Sequence, residues 1–122
     1  MNNIIEQGWA FYWGTINWPA SSILEACEIA DGLGLIRPIV EQSQYNIFSR
    51  DRVEYEFTTL YKRYKFGVTV WSPLAFETLT GKYTANVPEG SRFTMEPIKK
   101  SMFGEETFTK NVWKAEKLKS HR

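Results

Sequence analysis

Residues Val68–Tyr83 read VTVWSPLAFETLTGKY. Three β-branched residues followed by tryptophan predict a short strand covered on both faces. Pro73 has no N–H to give a ladder, so the strand ends near Trp71 and the chain turns at Ser72-Pro73. A flat aromatic at a strand end, followed by a turn and then by Gly81-Lys82-Tyr83, suits a ligand site as well as a core.

The same strand reading recurs upstream. The run Trp9–Gly14 is aromatic-rich and ends in glycine, which predicts a buried strand. Pro38–Gln42 predicts a second strand, with Pro38 as its first residue. Between these two, Ile23, Leu24, Cys27, Ala30 and Leu33 recur at helical spacing behind Pro19, and Gly32 and Gly34 close the helix. A further helix follows, with Ser49 as its cap and Val53, Phe57, Leu60, Tyr61 and Tyr64 as one apolar stripe. Lys62, Arg63 and Lys65 lie where the helix dipole favours cations. Met1–Gln7 reads as a helix tail stopped by Gly8. Residues 81–97 are rich in Gly, Pro and Ser and read as a long loop, and Glu105–Leu118 reads as a last helix.

Strand, helix, strand, helix, strand with short connections predicts an α/β fold of three parallel strands. Three strands can neither close a barrel nor cover their own edges, so the pattern implies part of a larger α/β structure. In such architectures ligands meet the C-terminal ends of the strands. Here those ends are Thr15–Trp18, Glu41–Asn46 and Trp71–Ala75.

Composition narrows the chemistry. The net charge of +1 argues against nucleic acid or an anionic membrane as partner. The single Cys27, placed on an apolar stripe, reads as a buried small hydrophobe and excludes a disulfide framework. The single His121 excludes a histidine triad and a two-histidine metal site within the chain, so no metal is expected. No signal peptide or apolar stretch of about 20 residues is present, which makes a cytoplasmic location the expectation. Gly81-Lys82 lacks the glycine and hydroxyl residue of a phosphate loop, since Phe76 and Tyr83 stand there. Gly32 and Gly34 end a helix instead of opening one, so they form no dinucleotide fingerprint.

The segments GWAFYWGTINW, PIVEQSQYNIFSRDRVE and VTVWSPLAFETLTGKY together resemble the aldo-keto reductases. The nearest branch is that of the voltage-gated potassium channel β subunits and their plant, fungal and bacterial relatives. The resemblance covers most of residues 1–92 and implies a partial (β/α)8 barrel, supplying its fifth, sixth and seventh strands. It divides the chain into a partial oxidoreductase domain, residues 1–97, and a divergent helical tail, residues 98–122.

The resemblance implies NADP(H) as cofactor. Trp71 matches the residue that lies against the nicotinamide, and Gln42 the one that bonds its amide. Asn17 belongs to the same cofactor set. Ser72, Pro73, Leu74 and Ala75 match the segment lining the diphosphate, and Lys82 and Arg92 match residues that approach cofactor phosphates. Ile16 stands where relatives usually carry Ser, and Glu77 where they usually carry Gly. No catalytic residue is assigned, because the family's Asp, Tyr, Lys and His tetrad lies on strands that nothing here matches. The implied activity of a complete relative is hydride transfer to a small carbonyl substrate. The alternative is a regulatory protein that binds a potassium channel's cytoplasmic domain, or a truncated copy without function.

Overall fold

The computed structural model describes residues 1–94 and 105–119. The expected boundary near Pro97 and the lone His121 lie outside them. The chain divides into two compact units, Met1–Trp71 and Ser72–Arg122.

The first unit carries α1 (Asn2–Glu6), β1 (Gly14–Ile16), α2 (Ala20–Leu33), β2 (Val40–Gln44), α3 (Thr58–Tyr64) and β3 (Gly67–Trp71). The strands form one parallel sheet in the order β1-β2-β3. The βα alternation leads to this arrangement because parallel neighbours need a crossover, here a helix each time. Register aligns Thr15 with Glu41 and Val68, and Ile16 with Gln42 and Thr69. At Gly14 a Cβ would run into the Val40 side chain and carbonyl, so the first ladder position requires glycine.

The core lies between the helices and one face of the sheet. Ala20, Ile23 and Cys27 of α2 meet Phe57, Leu60 and Phe66, with Val68 of β3 packed against them. Phe57, Ile23 and Leu60 are wholly buried, each stabilising by about 1.5–3 kcal/mol. Along β1 and β2 burial alternates: Thr15, Glu41 and Ser43 are covered, whereas Ile16 and Gln42 are exposed. The sequence suggested strands covered on both faces. Instead Ile16 is 55% and Val70 43% exposed. In the first unit the core packs on the face that carries Val68, and the face that carries Ile16 and Gln42 stays open among its described residues.

Three local expectations shift. The aromatic run Trp9–Trp13 is not a strand. Trp9 N–H bonds the Ile4 carbonyl at 3.0 Å, which holds it in the turn after α1. The ladder begins only where Trp13 O accepts from Ile39 N–H at 3.1 Å. Strand propensity here has no partner strand to act on. β2 likewise runs two residues later than PIVEQ, because Pro38 offers no donor and pairing starts after it. Ser49 does not cap a helix: Asn46 and Ser49 exchange backbone bonds of 3.2 and 3.0 Å, and the Asn46 side chain accepts from Phe48 N–H. Helical winding starts past them, as a wide turn at Arg52–Glu56 that passes into α3.

α2 has no side-chain cap of its own behind Pro19. Its Ala20 N–H donates to Glu56 Oε1 at 2.8 Å, so a distant carboxylate takes the cap's place. The helix ends at Gly34, φ +64°, where Leu35 N–H reaches back to Ala30 O at 2.8 Å. Of the expected stripe, Leu33 is the departure, 68% exposed in the last turn.

The second unit holds two short 3-10 turns, Thr78–Thr80 and Arg92–Thr94, and α4 (Glu105–Lys119). Tyr83 packs edge-on against Phe93 and Phe108, with centroids 5.2 Å away in each case. Ala75, Phe76 and Ala115 are buried. No helix among the described residues is long and apolar enough to cross a membrane.

Candidate functional site

In the first unit, Asn17, Gln42 and Trp71 come together at the C-terminal ends of the three strands. Asn17 takes a left-handed conformation, φ +58°, which asparagine tolerates better than most residues. Its N–H donates to the Gln42 carbonyl at 3.2 Å. Its side-chain oxygen accepts from Trp71 Nε1 at 3.0 Å, across 54 positions of sequence. Asn17 therefore ties β1's exit to β2 and fixes the indole at the end of β3. The Gln42 amide is exposed, beside Ile16 in the register.

Beneath this layer lies a residue that sequence reading placed only among the strand-end segments. Glu41 is wholly buried. Its Oε2 accepts from the Thr15 hydroxyl, and its Oε1 accepts from Trp18 N–H at 3.0 Å and from the Ser43 hydroxyl at 3.4 Å. A buried carboxylate needs such donors to persist. Two of them, the Thr15 hydroxyl and Trp18 N–H, come from either side of Asn17, so Glu41 holds the loop that carries Asn17. Its local signal is weak: alternation with Gln42 says only that one of the two faces inward.

The loop after β2 is held by a second charged group. Arg50 grips Glu54 through two bonds of 2.7 and 2.8 Å, and the Tyr45 hydroxyl donates to the same carboxylate at 2.8 Å. Arg50 and Tyr45 together hold the Glu54 carboxyl below the usual carboxylate range.

The remaining expected residues belong to the second unit. Ser72 is half-buried at φ +51°, and its carbonyl accepts from Ala75 N–H at 3.0 Å. Pro73 and Leu74 are exposed and Ala75 is buried. Ala75, Phe76 and Glu77 follow one another at φ +47°, +55° and +71°. Such a run of left-handed L-residues costs about 1–2 kcal/mol each and marks a turn held by its surroundings.

Lys82 is exposed, and its ammonium pairs with the carboxylate of Glu77. The Tyr83 hydroxyl donates to the same Oε2 at 2.9 Å. Lys82 first, then Tyr83, lower the Glu77 pKa, and the carboxylate in turn raises that of Lys82. Arg92 is exposed at the start of its turn and lends Glu77 a weaker favourable field. The Glu77–Lys82 pairing had no sequence signal, because a five-residue separation belongs to no regular periodicity and depends on the turn.

The model of the aldo/keto reductase family matches residues 1–120. The chain belongs to this family. The match continues past the last of the quoted motifs. A rice protein (Oryza sativa subsp. japonica) is 54% identical over 100 residues, 81% of this chain and 30% of its own length. An Arabidopsis thaliana protein is 53% identical over the same span and fraction. Both carry the name "Probable voltage-gated potassium channel subunit beta". A Schizosaccharomyces pombe relative, also named as a potassium channel subunit beta, is 47% identical over 91 residues, 75% of this chain and 26% of its own. The chain thus spans about 30% or less of the length of these curated relatives. As an aldo/keto reductase segment, its three parallel strands and intervening helices are consistent with part of a (β/α)8 barrel.

Proposed function

We propose that this chain supplies the nicotinamide-facing and diphosphate-facing segments of an NADP(H)-dependent carbonyl reductase site, in the cytoplasm. The observation that carries the reading is the Trp71–Asn17 hydrogen bond of 3.0 Å, made beside the exposed amide of Gln42. It gives the indole a set orientation at the point where parallel α/β sheets take ligands. Gln42 can both donate and accept, which suits a carboxamide. Ile16 beside it offers no hydroxyl, so Gln42 alone of that register pair serves the amide. Ser72, Pro73, Leu74 and Ala75 would line the diphosphate, and Lys82 and Arg92 would meet phosphates, Lys82 only after parting from Glu77.

NADPH, when bound, supplies the hydride that reduces a carbonyl. The chain's own part is to bind and orient the cofactor, and none of its residues is assigned to proton donation. Purified 122-residue chain is therefore expected to bind NADPH with quenching of tryptophan emission, weakened in W71F and Q42A, while oxidising no NADPH with an aldehyde. Equal binding by wild type, W71F and Q42A would count against the reading.

A second reading rests on the names of the relatives, which describe potassium channel β subunits. It holds that the family segment serves a protein bound to a channel's cytoplasmic domain. Retention of the chain on an immobilised channel cytoplasmic domain, unaffected by W71F, would favour it over the reductase reading.

A further inference from the structure

In the second unit an anion already sits among donors, and it belongs to the chain itself. Glu77 Oε2 pairs with the Lys82 ammonium and accepts from the Tyr83 hydroxyl at 2.9 Å. The turn between them is closely defined. Thr78 N–H bonds Ala75 O at 3.2 Å, Thr80 N–H bonds Glu77 O at 3.1 Å, and both threonine hydroxyls donate to those same carbonyls at 2.7 Å. Gly81, φ +77°, then reverses the chain so that Lys82 faces back toward Glu77. Tyr83 is 96% buried between aromatic neighbours, which holds its ring in place, and its hydroxyl donates to the Glu77 carboxylate. The Lys82 side chain stays 38% exposed, within reach of a solute.

We propose that the Lys82 ammonium and the Tyr83 hydroxyl form an anion-binding site which Glu77 fills from within, and that a phosphate or pyrophosphate group enters by displacing the Glu77 carboxylate. This rests on the reading that Lys82 meets a cofactor phosphate, and adds the residue that sets its affinity. Carboxylate and phosphate compete for the same donors, and phosphate brings more charge and more acceptor oxygens. The tethered carboxylate competes at a high effective concentration, so removing its charge strengthens external binding. Arg92, which adds positive field at Glu77, favours either occupant.

The test measures binding of inorganic pyrophosphate, and separately of NADPH, to the full chain at fixed ionic strength. Wild type, E77Q, K82M and E77Q/K82M are compared. E77Q is expected to tighten pyrophosphate binding about two- to five-fold, the worth of a partly exposed ion pair. That gain is expected to vanish in E77Q/K82M. An unchanged affinity in E77Q, or a gain that survives loss of Lys82, overturns the proposal. Should E77Q fail to fold, the Glu77 carboxyl carbon resonance of wild type decides. It must move toward the value of an unpaired carboxylate as pyrophosphate is added, and a stationary resonance overturns the proposal. The NADPH arm separates the two readings. Pyrophosphate gain without NADPH binding leaves the anion site standing and sinks the cofactor, whereas NADPH binding without a pyrophosphate gain in E77Q does the reverse.

Discussion

Replacing Glu41 with alanine is expected to destabilise the first unit by about 2–4 kcal/mol, through loss of acceptors and not through loss of packing alone. The carboxylate takes two good bonds, from the Thr15 hydroxyl and from Trp18 N–H at 3.0 Å. The Ser43 contact at 3.4 Å is beyond the usual range and adds little. Each orphaned donor costs about 1–3 kcal/mol, the buried hydroxyl toward the upper end and the part-buried N–H toward the lower. Removing the charge recovers some of the penalty of burying it, which brings the sum down. Glu41→Gln keeps an acceptor for Trp18 and lets the Thr15 hydroxyl reverse its role, so it is expected to cost about 1–2 kcal/mol. Urea titration followed by tryptophan emission gives each value, and Thr15→Val completes a double-mutant cycle with Glu41→Ala. Coupling of about 1 kcal/mol or more is expected; additive effects within about 0.5 kcal/mol would refute the claim that these two residues act as a pair.

Other expectations follow from neighbouring features. Asn17→Gly keeps the left-handed conformation and removes only the bond to Trp71, so it should cost about 0.5–1.5 kcal/mol and shift Trp71 emission; Asn17→Ala should cost about 1 kcal/mol more, because alanine resists positive φ. Glu77 has its pKa lowered by Lys82 and Tyr83, so the unfolded chain takes up the proton first as pH falls. Its stabilising contribution is complete above the ordinary glutamate range and is lost as pH falls through the depressed folded value. Carbon NMR of the Glu77 carboxyl should show that low midpoint, and Lys82→Met should raise it. Burial pushes the Cys27 thiol pKa up, so a thiol-specific reagent should react only as the unit opens, its rate rising with urea.

The sheet and its parallel order were legible because hydrophobic periodicity and βα alternation are local signals with one economical solution. Ile23, Cys27 and Ala30 of α2, and Val68–Trp71 of β3, show this. Asn17, Gln42 and Trp71 were legible as strand ends, and their mutual bonding was not, since it joins positions 17, 42 and 71 through the fold. Trp9–Trp13 misled because aromatic content speaks of burial and strand preference, whereas pairing needs a backbone partner. Glu41 and Glu77 escaped for a different reason. A carboxylate looks alike in sequence whether water or three protein donors surround it, and those donors lie 26, 23 and 2 positions from Glu41.

The carboxylate of Glu56 at the start of α2 has a consequence in time. Ala20 leaves the ribosome 36 residues ahead of Glu56. At about 5–20 residues per second, that is a delay of roughly 2–7 s. Until Glu56 is made, even once the apolar stripe of α2 is complete, Ala20 N–H has no side-chain acceptor, so the beginning of the helix is expected to stay frayed. Glu56 arrives on the same wide turn as Arg52, whose guanidinium lies 3.5 Å from its other oxygen and holds it in place. Completion of the first crossover's helix thus waits on synthesis of the turn that opens the second crossover's helix. A nascent chain stalled before Glu56 should give up residues near Ala20 to a protease, and one stalled beyond β3 should protect them.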